Sequence, residues 1–205
     1  MPKLPDRLQI GCYDVVFAGW HNTDVTNQLW VARVPGLASL LYRLRRLAPE
    51  LYELHRRGVF RQVQYLDVTR RFPYPTNHFA YVYSSHMLEH LYPDEAEQCL
   101  REVWRVLQPG GIVRLALPDL DYLVRTYNPH QPEGLLDSLF QGRKRSTHPR
   151  ARHWWHYNIH SLGALLRSLG YVDVVRCDYR RGRCAEVEQL DNRPNSLFVE
   201  ASKRA

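Results

Sequence analysis

Residues 79–119, FAYVYSSHMLEHLYPDEAEQCLREVWRVLQPGGIVRLALPDL, constrain the fold most, because they read as a strand, a polar turn, a helix, a glycine stop and a second strand. The first strand is the aromatic and β-branched run 79–83, which ends at the polar cluster Ser84, Ser85 and His86. A helix follows: Ala96, Cys99, Leu100, Val103 and Leu107 recur at helical spacing, Asp94 with Glu97 forms a capping pair, and Pro109-Gly110-Gly111 supplies the stop. Residues 112–117 form the next buried strand. A right-handed crossover makes the two strands parallel. The polar cluster and Pro118-Asp119 then emerge at one carboxyl edge, where open α/β sheets bind ligands.

The rest of the chain supplies partners for this unit. Short strands are expected at 8–11 and ending at 22–24, then a helix over 34–55 with Leu37, Leu40, Leu41, Leu44 and Leu47 on one face and a break at Pro49. A third strand covers 62–68. Beyond Leu117 the order is a helix at 122–127, an irregular basic segment, a helix at 162–169, and strands at 172–177 and 196–201 that pair as an antiparallel hairpin with a long loop. At 205 residues this is one domain over 1–205, with 128–160 as an insertion or lid. No run reaches the roughly 20 apolar residues of a membrane helix, and the first residues lack the apolar core of a signal peptide, so a cytoplasmic location is expected. Cys12, Cys99, Cys177 and Cys184 form no CxxC pair, which points to neither a zinc site nor a disulfide framework.

The motif Ser84-Ser85-His86-Met87-Leu88-Glu89-His90-Leu91, followed by Arg101-Glu102, Arg105-Val106-Leu107 and Pro109-Gly110-Gly111, resembles the class I S-adenosylmethionine (AdoMet)-dependent methyltransferases, type 11 group. Gly11-Cys12, Gly19-Trp20, Asn22 and Asp24 are similar to that group's GCG…GWxNxD segment, and Tyr65-Leu66-Asp67-Val68 with Phe72-Pro73-Tyr74-Pro75 to its third strand and the approach to its fourth. The likeness covers most of 7–119 and is looser past 150, where Asp191-Asn192-Arg193-Pro194 still resembles the C-terminal half of such proteins. It implies a Rossmann-like α/β fold: a mostly parallel seven-stranded sheet with an antiparallel C-terminal strand and helices on both faces.

The resemblance also implies a cofactor, AdoMet, and residues for it. Gly11 lets the backbone approach the cofactor closely, and Asp24, at the tip of the second strand, accepts from the ribose hydroxyls as an acidic residue does in dinucleotide folds. Asp67 would contact the adenine amino group with Val68 beside the ring, and Ser84 and Ser85 would line the methionine end. One position departs from the group: Tyr13 stands where a second glycine is usual, and a left-handed backbone is costly for it. Three outcomes stay open: the loop shifts, the ring stacks beside the cofactor, or binding is lost. In the last case the chain is a non-catalytic methyltransferase-like binding protein.

His86-Met87-Leu88-Glu89-His90 also spells H-x-x-E-H, the signature of inverted zinc peptidases. Context argues against that reading, because His86 directly follows a strand, Pro93 interrupts the chain soon after His90, and no third ligand motif follows; no metal is expected. Candidates for acid–base work are His86, Asp119 and the His153-Trp154-Trp155-His156-Tyr157 cluster, with His86 and His156 the leading catalytic candidates, since removing a hydroxyl proton suits an imidazole. The net charge is +7, and the stretch 143–153, RKRSTHPRARH, carries five Arg and Lys without an acid. Bordering an acceptor cleft, such a run favours an anionic small molecule or a glycan; nothing resembles an RNA-binding module, so nucleic acid ranks lower. The reading is methyl transfer from AdoMet to a small-molecule or sugar-like acceptor, on oxygen.

Overall fold

The structure, a computed structural model, describes residues 4–140 and 152–205. Seven strands form one sheet: β1 (Arg7–Ile10), β2 (His21–Asp24), β3 (Val63–Tyr65), β4 (Phe79–Ser85), β5 (Leu107–Pro118), β6 (Tyr171–Cys177) and β7 (Ser196–Lys203). Their order is β3-β2-β1-β4-β5-β7-β6, parallel except for β7, which runs antiparallel to both neighbours. The helices are α1 (Gln28–Arg33), α2 (Leu37–Arg43), α3 (Pro49–Arg56), α4 (Pro93–Val106), α5 (Leu120–Arg125), α6 (Glu133–Phe140), α7 (Ile159–Ser168) and α8 (Val187–Leu190). This is the mostly parallel sheet with a reversed C-terminal strand that the resemblance implied.

The 79–119 unit forms with adjusted boundaries. Ala96, Cys99, Leu100, Val103 and Val106 of α4 are fully buried and pack with Leu8, Val82, Leu115 and Val199 of the sheet. Burying each large aliphatic side chain contributes about 1.5–3 kcal/mol. Glu95, rather than the expected Asp94 and Glu97 pair, caps the helix start by accepting the Tyr92 N–H at 3.0 Å. Glu97 instead pairs with Arg101 one turn later.

Pro109-Gly110-Gly111 does not stop the helix. Residue 107 is already extended, and the glycines form a bulge: Phe79 pairs with Leu107 and Tyr81 with Ile112, so five residues of β5 span what two of β4 span. The α4 carbonyls are closed off by the last strand, where Lys203 Nζ donates to the Trp104 and Leu107 carbonyls at 2.9 and 3.1 Å.

Three further expectations are corrected. The strand expected to end at 83 continues through Ser85, so Ser84 and Ser85 belong to β4 and not to a turn. The helical segment expected over 34–55 does break at Pro49, where α3 starts, but its first part is shorter than expected: α2 starts after Gly36 and ends before Arg45, which turns left-handed at φ 55°. Its leucine face does not reach the main core, since Leu40 and Leu44 are more than half exposed and only Leu47 is buried. The third strand is three residues long because the Asp67 carboxylate turns the chain, accepting the Thr69 N–H at 3.1 Å and its hydroxyl at 2.8 Å.

A buried charge network joins the end of the chain to the sheet. Arg114 on β5 is fully buried, and its five N–H groups are all taken: Nε and Nη2 by Asp191, Nη1 by Glu200 at 2.9 Å, and the remaining two by the carbonyls of Arg181 and Asp178 at 3.0 and 3.2 Å. Asp191 also accepts the Arg180 N–H, and Glu200 the N–H groups of Arg183 and Cys184. The loop between β6 and β7 is thereby folded down on the sheet beside the carboxyl edge. Among the described residues no helix is long and apolar enough to cross a membrane, and the four cysteines are free.

Candidate active site

The carboxyl ends of β1, β2, β3 and β4 open into one cleft of about 580 Å³, within the roughly 300–1,000 Å³ of ligand sites. Gly11, Tyr13, Asp24, Val68 and His86 line it, with Leu66, Met87 and Leu91 adding apolar wall. A smaller cavity of about 130 Å³ adjoins it, sharing Gly11, Tyr13 and His86 and reaching Gln9, Ser85 and Asn192.

Gly11 sits at φ +70°, and a Cβ there would run into the Met87 side chain, so the residue is glycine both for its backbone and for the close approach of Met87. Tyr13 does adopt the left-handed conformation, at φ 46°. Asp24 holds it there: Oδ2 accepts the Tyr13 N–H at 2.9 Å while Oδ1 accepts the Thr26 N–H at 2.7 Å. The Tyr13 ring leans edge-on toward Phe60 with centroids 6.2 Å apart, lining the cleft rather than plugging it. Burial, then the charges of Asp14 and Asp24, raises its phenol pKa, keeping the hydroxyl neutral.

The other expected cofactor residues are distributed unevenly. Val68 faces the cleft, whereas the Asp67 carboxylate beside it is engaged with Thr69. Ser85 lines the smaller cavity; Ser84 is buried, and its hydroxyl has no hydrogen-bond partner among the described residues. Gln9, which sequence reasoning passed over, is 3% exposed, and its Oε1 has no hydrogen-bond partner among the described residues. Its only sequence signal is its place two residues before Gly11 in the first strand. A carboxylate with free lone pairs at the tip of β2, a glycine cradle at the tip of β1 and an orphaned buried acceptor beside them suit a ligand with ribose hydroxyls and an ammonium group.

His86 occupies the junction of the two cavities in a left-handed conformation, φ 49°. Its Nε2 lies 2.8 Å from Ser196 Oγ and its Nδ1 3.2 Å from Glu89 Oε1. Burial pushes the Glu89 carboxyl pKa up, but the neighbouring His86 and His90 outweigh it and hold the group below its usual range. A buried anion on one nitrogen and a hydroxyl on the other fix the ring as orienting partners fix a general base.

The remaining acid–base candidates lie elsewhere. Asp119 caps α5 through the Asp121 N–H and pairs with Arg176 at 2.7 Å. His156 is not brought to the cleft; its Nε2 donates to the Leu139 carbonyl at 2.9 Å. Trp154 packs on Tyr92, with stacked rings 4.9 Å apart. Most of the basic run expected to form a lid, residues 143–151, lies outside the described residues.

This sheet order, with its cleft at the ends of the first four strands, is the fold of the AdoMet-dependent methyltransferases. The chain shares that fold, and its residues 44–115 match the family described as "Methyltransferase domain". Solved structures with the same fold include the S-adenosylmethionine-dependent methyltransferase SibL in its apo form, at 19% identity and TM-score 0.53 over 99% of this chain and 51% of that one. Phosphoethanolamine N-methyltransferase 2 of Haemonchus contortus, in complex with phosphomonomethylethanolamine and S-adenosylhomocysteine, shares 15% identity at TM-score 0.52 over 100% and 50%. The CurJ carbon methyltransferase shares 15% at TM-score 0.50, also over 100% and 50%. The chain thus spans about half the length of these structures. No curated protein matches it by sequence.

Proposed function

We propose that the chain binds AdoMet in the carboxyl-edge cleft and transfers its methyl group to an oxygen of a small-molecule or sugar-like acceptor. The observation that carries this reading is the convergence of Gly11, Asp24 and Val68 on one cleft with an oriented His86 at its inner end. AdoMet, when bound, supplies an electrophilic methyl carbon on a sulfonium that departs as a neutral thioether. Asp24 accepts from the ribose hydroxyls on the lone pairs that Tyr13 and Thr26 leave free, and Leu66 and Val68 flank the base. Gln9 Oε1 and Ser85 receive the amino-acid end.

His86 Nε2 takes the acceptor hydroxyl's proton in place of Ser196 Oγ, while Glu89 holds the ring through Nδ1 and stabilises the imidazolium. The apolar wall of Leu66, Met87 and Leu91 excludes water from the reacting groups. The acceptor fits a sugar or other small hydroxyl compound, and the basic run favours one carrying negative charge.

The test is isothermal titration of the full chain with AdoMet and S-adenosylhomocysteine, together with mass spectrometry of co-purified ligand. Binding of both is expected, followed by labelled methyl transfer to hydroxyl acceptors. A folded chain that binds neither supports instead the non-catalytic reading opened by Tyr13.

A further inference from the structure

A cluster of carboxylate and imidazole lone pairs lies beside the cleft, where the 3-10 turn Leu88–His90 meets the segment 152–157. Glu89, His90 and His153 each offer one ligand atom there, all within 4.8 Å of one another. Sequence reasoning set metal aside at H-x-x-E-H because His86 directly follows a strand, Pro93 comes soon after His90 and no third ligand motif follows. The structure selects a different set: His86 is drawn to Ser196, and the third group comes from the distant His153.

The protonation of the two rings follows from their partners. His90 Nδ1 lies 3.0 Å from the Arg152 carbonyl, and His153 Nδ1 lies 3.0 Å from the Ser138 carbonyl. A carbonyl oxygen only accepts, so each Nδ1 carries the proton and each Nε2 holds a lone pair. For His153 that lone pair faces the carboxylate, with Nε2 4.0 Å from Glu89 Oε1. Glu89 is fully buried; its Oε1 has His86 Nδ1 at 3.2 Å, and its Oε2 has no hydrogen-bond partner among the described residues. His156 adds a buried Nδ1 without a partner, its ring 5.3 Å from that of His153.

A buried carboxylate facing the lone pairs of two part-buried imidazoles is costly unless a cation joins them. Imidazoles that donate their second N–H to backbone carbonyls are the usual arrangement of metal-binding histidines. Two nitrogens and one carboxylate suit a borderline ion better than calcium or magnesium.

We propose that Glu89, His90 and His153 bind a divalent transition-metal ion of the zinc type, which clasps the segment after residue 151 onto the carboxyl edge. Ligand atoms around such an ion stand ~3.3 Å apart, so binding draws the three ligand atoms in from a spread of up to 4.8 Å, including the 4.0 Å between Glu89 and His153, by side-chain rotation. The clasp reinforces contacts already made by the backbone, where Trp154 N–H donates to the Glu89 carbonyl at 2.8 Å and Leu120 N–H to the Tyr157 carbonyl at 3.0 Å. Because His90 also lines the cleft, the ion would stand at its wall, yet the site does not depend on the methyl-transfer reading.

The test is titration of the chelator-stripped full chain with Zn²⁺ by calorimetry and with Co²⁺ by visible absorption. One ion per chain is expected, with Co²⁺ bands that lack thiolate charge transfer. His90→Asn and His153→Asn should each weaken Zn²⁺ by roughly tenfold or more, while the exposed control His160→Asn leaves it unchanged. Circular dichroism checks folding, and partly exposed His90 keeps the test sound if His153→Asn does not fold. Absence of stoichiometric binding, unchanged affinity in His90→Asn, equal loss in His160→Asn or a thiolate band would each overturn the proposal. A parallel AdoMet titration separates its failure from failure of the methyltransferase reading.

Discussion

Replacing Asp24 with alanine tests the cofactor site most directly, because this carboxylate has two tasks. Toward the ligand, it is expected to accept charged hydrogen bonds from ribose, and losing such a bond costs about 1.5–3 kcal/mol. Toward the protein, its oxygens accept the N–H groups of Tyr13 and Thr26 at 2.9 and 2.7 Å. The first of these helps hold Tyr13 at φ 46°, a conformation that costs a non-glycine residue about 1–2 kcal/mol. Without that acceptor the loop relaxes, and re-forming it on binding adds to the loss.

Asp24→Ala should therefore weaken AdoMet toward the upper end of the range, roughly 100-fold, since about 1.4 kcal/mol is tenfold. Asp24→Asn, which keeps one oxygen but no charge, should fall between. Calorimetry with AdoMet and S-adenosylhomocysteine measures both variants, and urea unfolding confirms that they fold. An Asp24→Ala protein that is folded and binds within threefold of the parent chain refutes the assignment of Asp24 to ribose and, with it, the pose argued for the cleft.

Arg114→Met should destabilise the protein by about 3–5 kcal/mol in urea unfolding, because it strands the buried carboxylates of Asp191 and Glu200; a loss under about 1 kcal/mol would contradict the network. His86→Gln should lower kcat by about 10²–10⁴-fold with little change in AdoMet affinity, and equal losses in both would recast His86 as a binding residue. In metal-free protein, burial holds the His153 pKa down at about 4 against an ordinary 6.5, so the unfolded chain takes up a proton in between. Stability is then complete above about pH 6.5 and falls as the pH drops toward 4, and His153→Asn should flatten that part of the profile.

The features legible in the sequence were those with a local cause. The α4 stripe from Ala96 to Val103, the strand end at Asp24 and the β6–β7 pair follow from periodicity and polar punctuation. Misread features had causes that the local pattern does not carry. Pro109-Gly110-Gly111 resembles a helix stop, yet helix α4 is closed by Lys203 from the far end of the chain. The leucines of α2 are spaced like a core face, but the flanking Gly36 and Arg45 bend the segment away from the sheet. Gln9 and Ser196 were silent because only folding brings them to the cleft and to His86, and His153, although named within the aromatic cluster, gave no local sign of its neighbour Glu89.

The position of β7 has a consequence for how the chain is built during synthesis. Made after every other strand, it takes an interior place, pairing with β5 on one side and β6 on the other. Until it emerges from the ribosome, β5 and β6 present two open edges that other chains can template on. Nascent protein halted before residue 196 should therefore aggregate or stay bound to chaperones, because β5 and β6 then lack the strand that joins them.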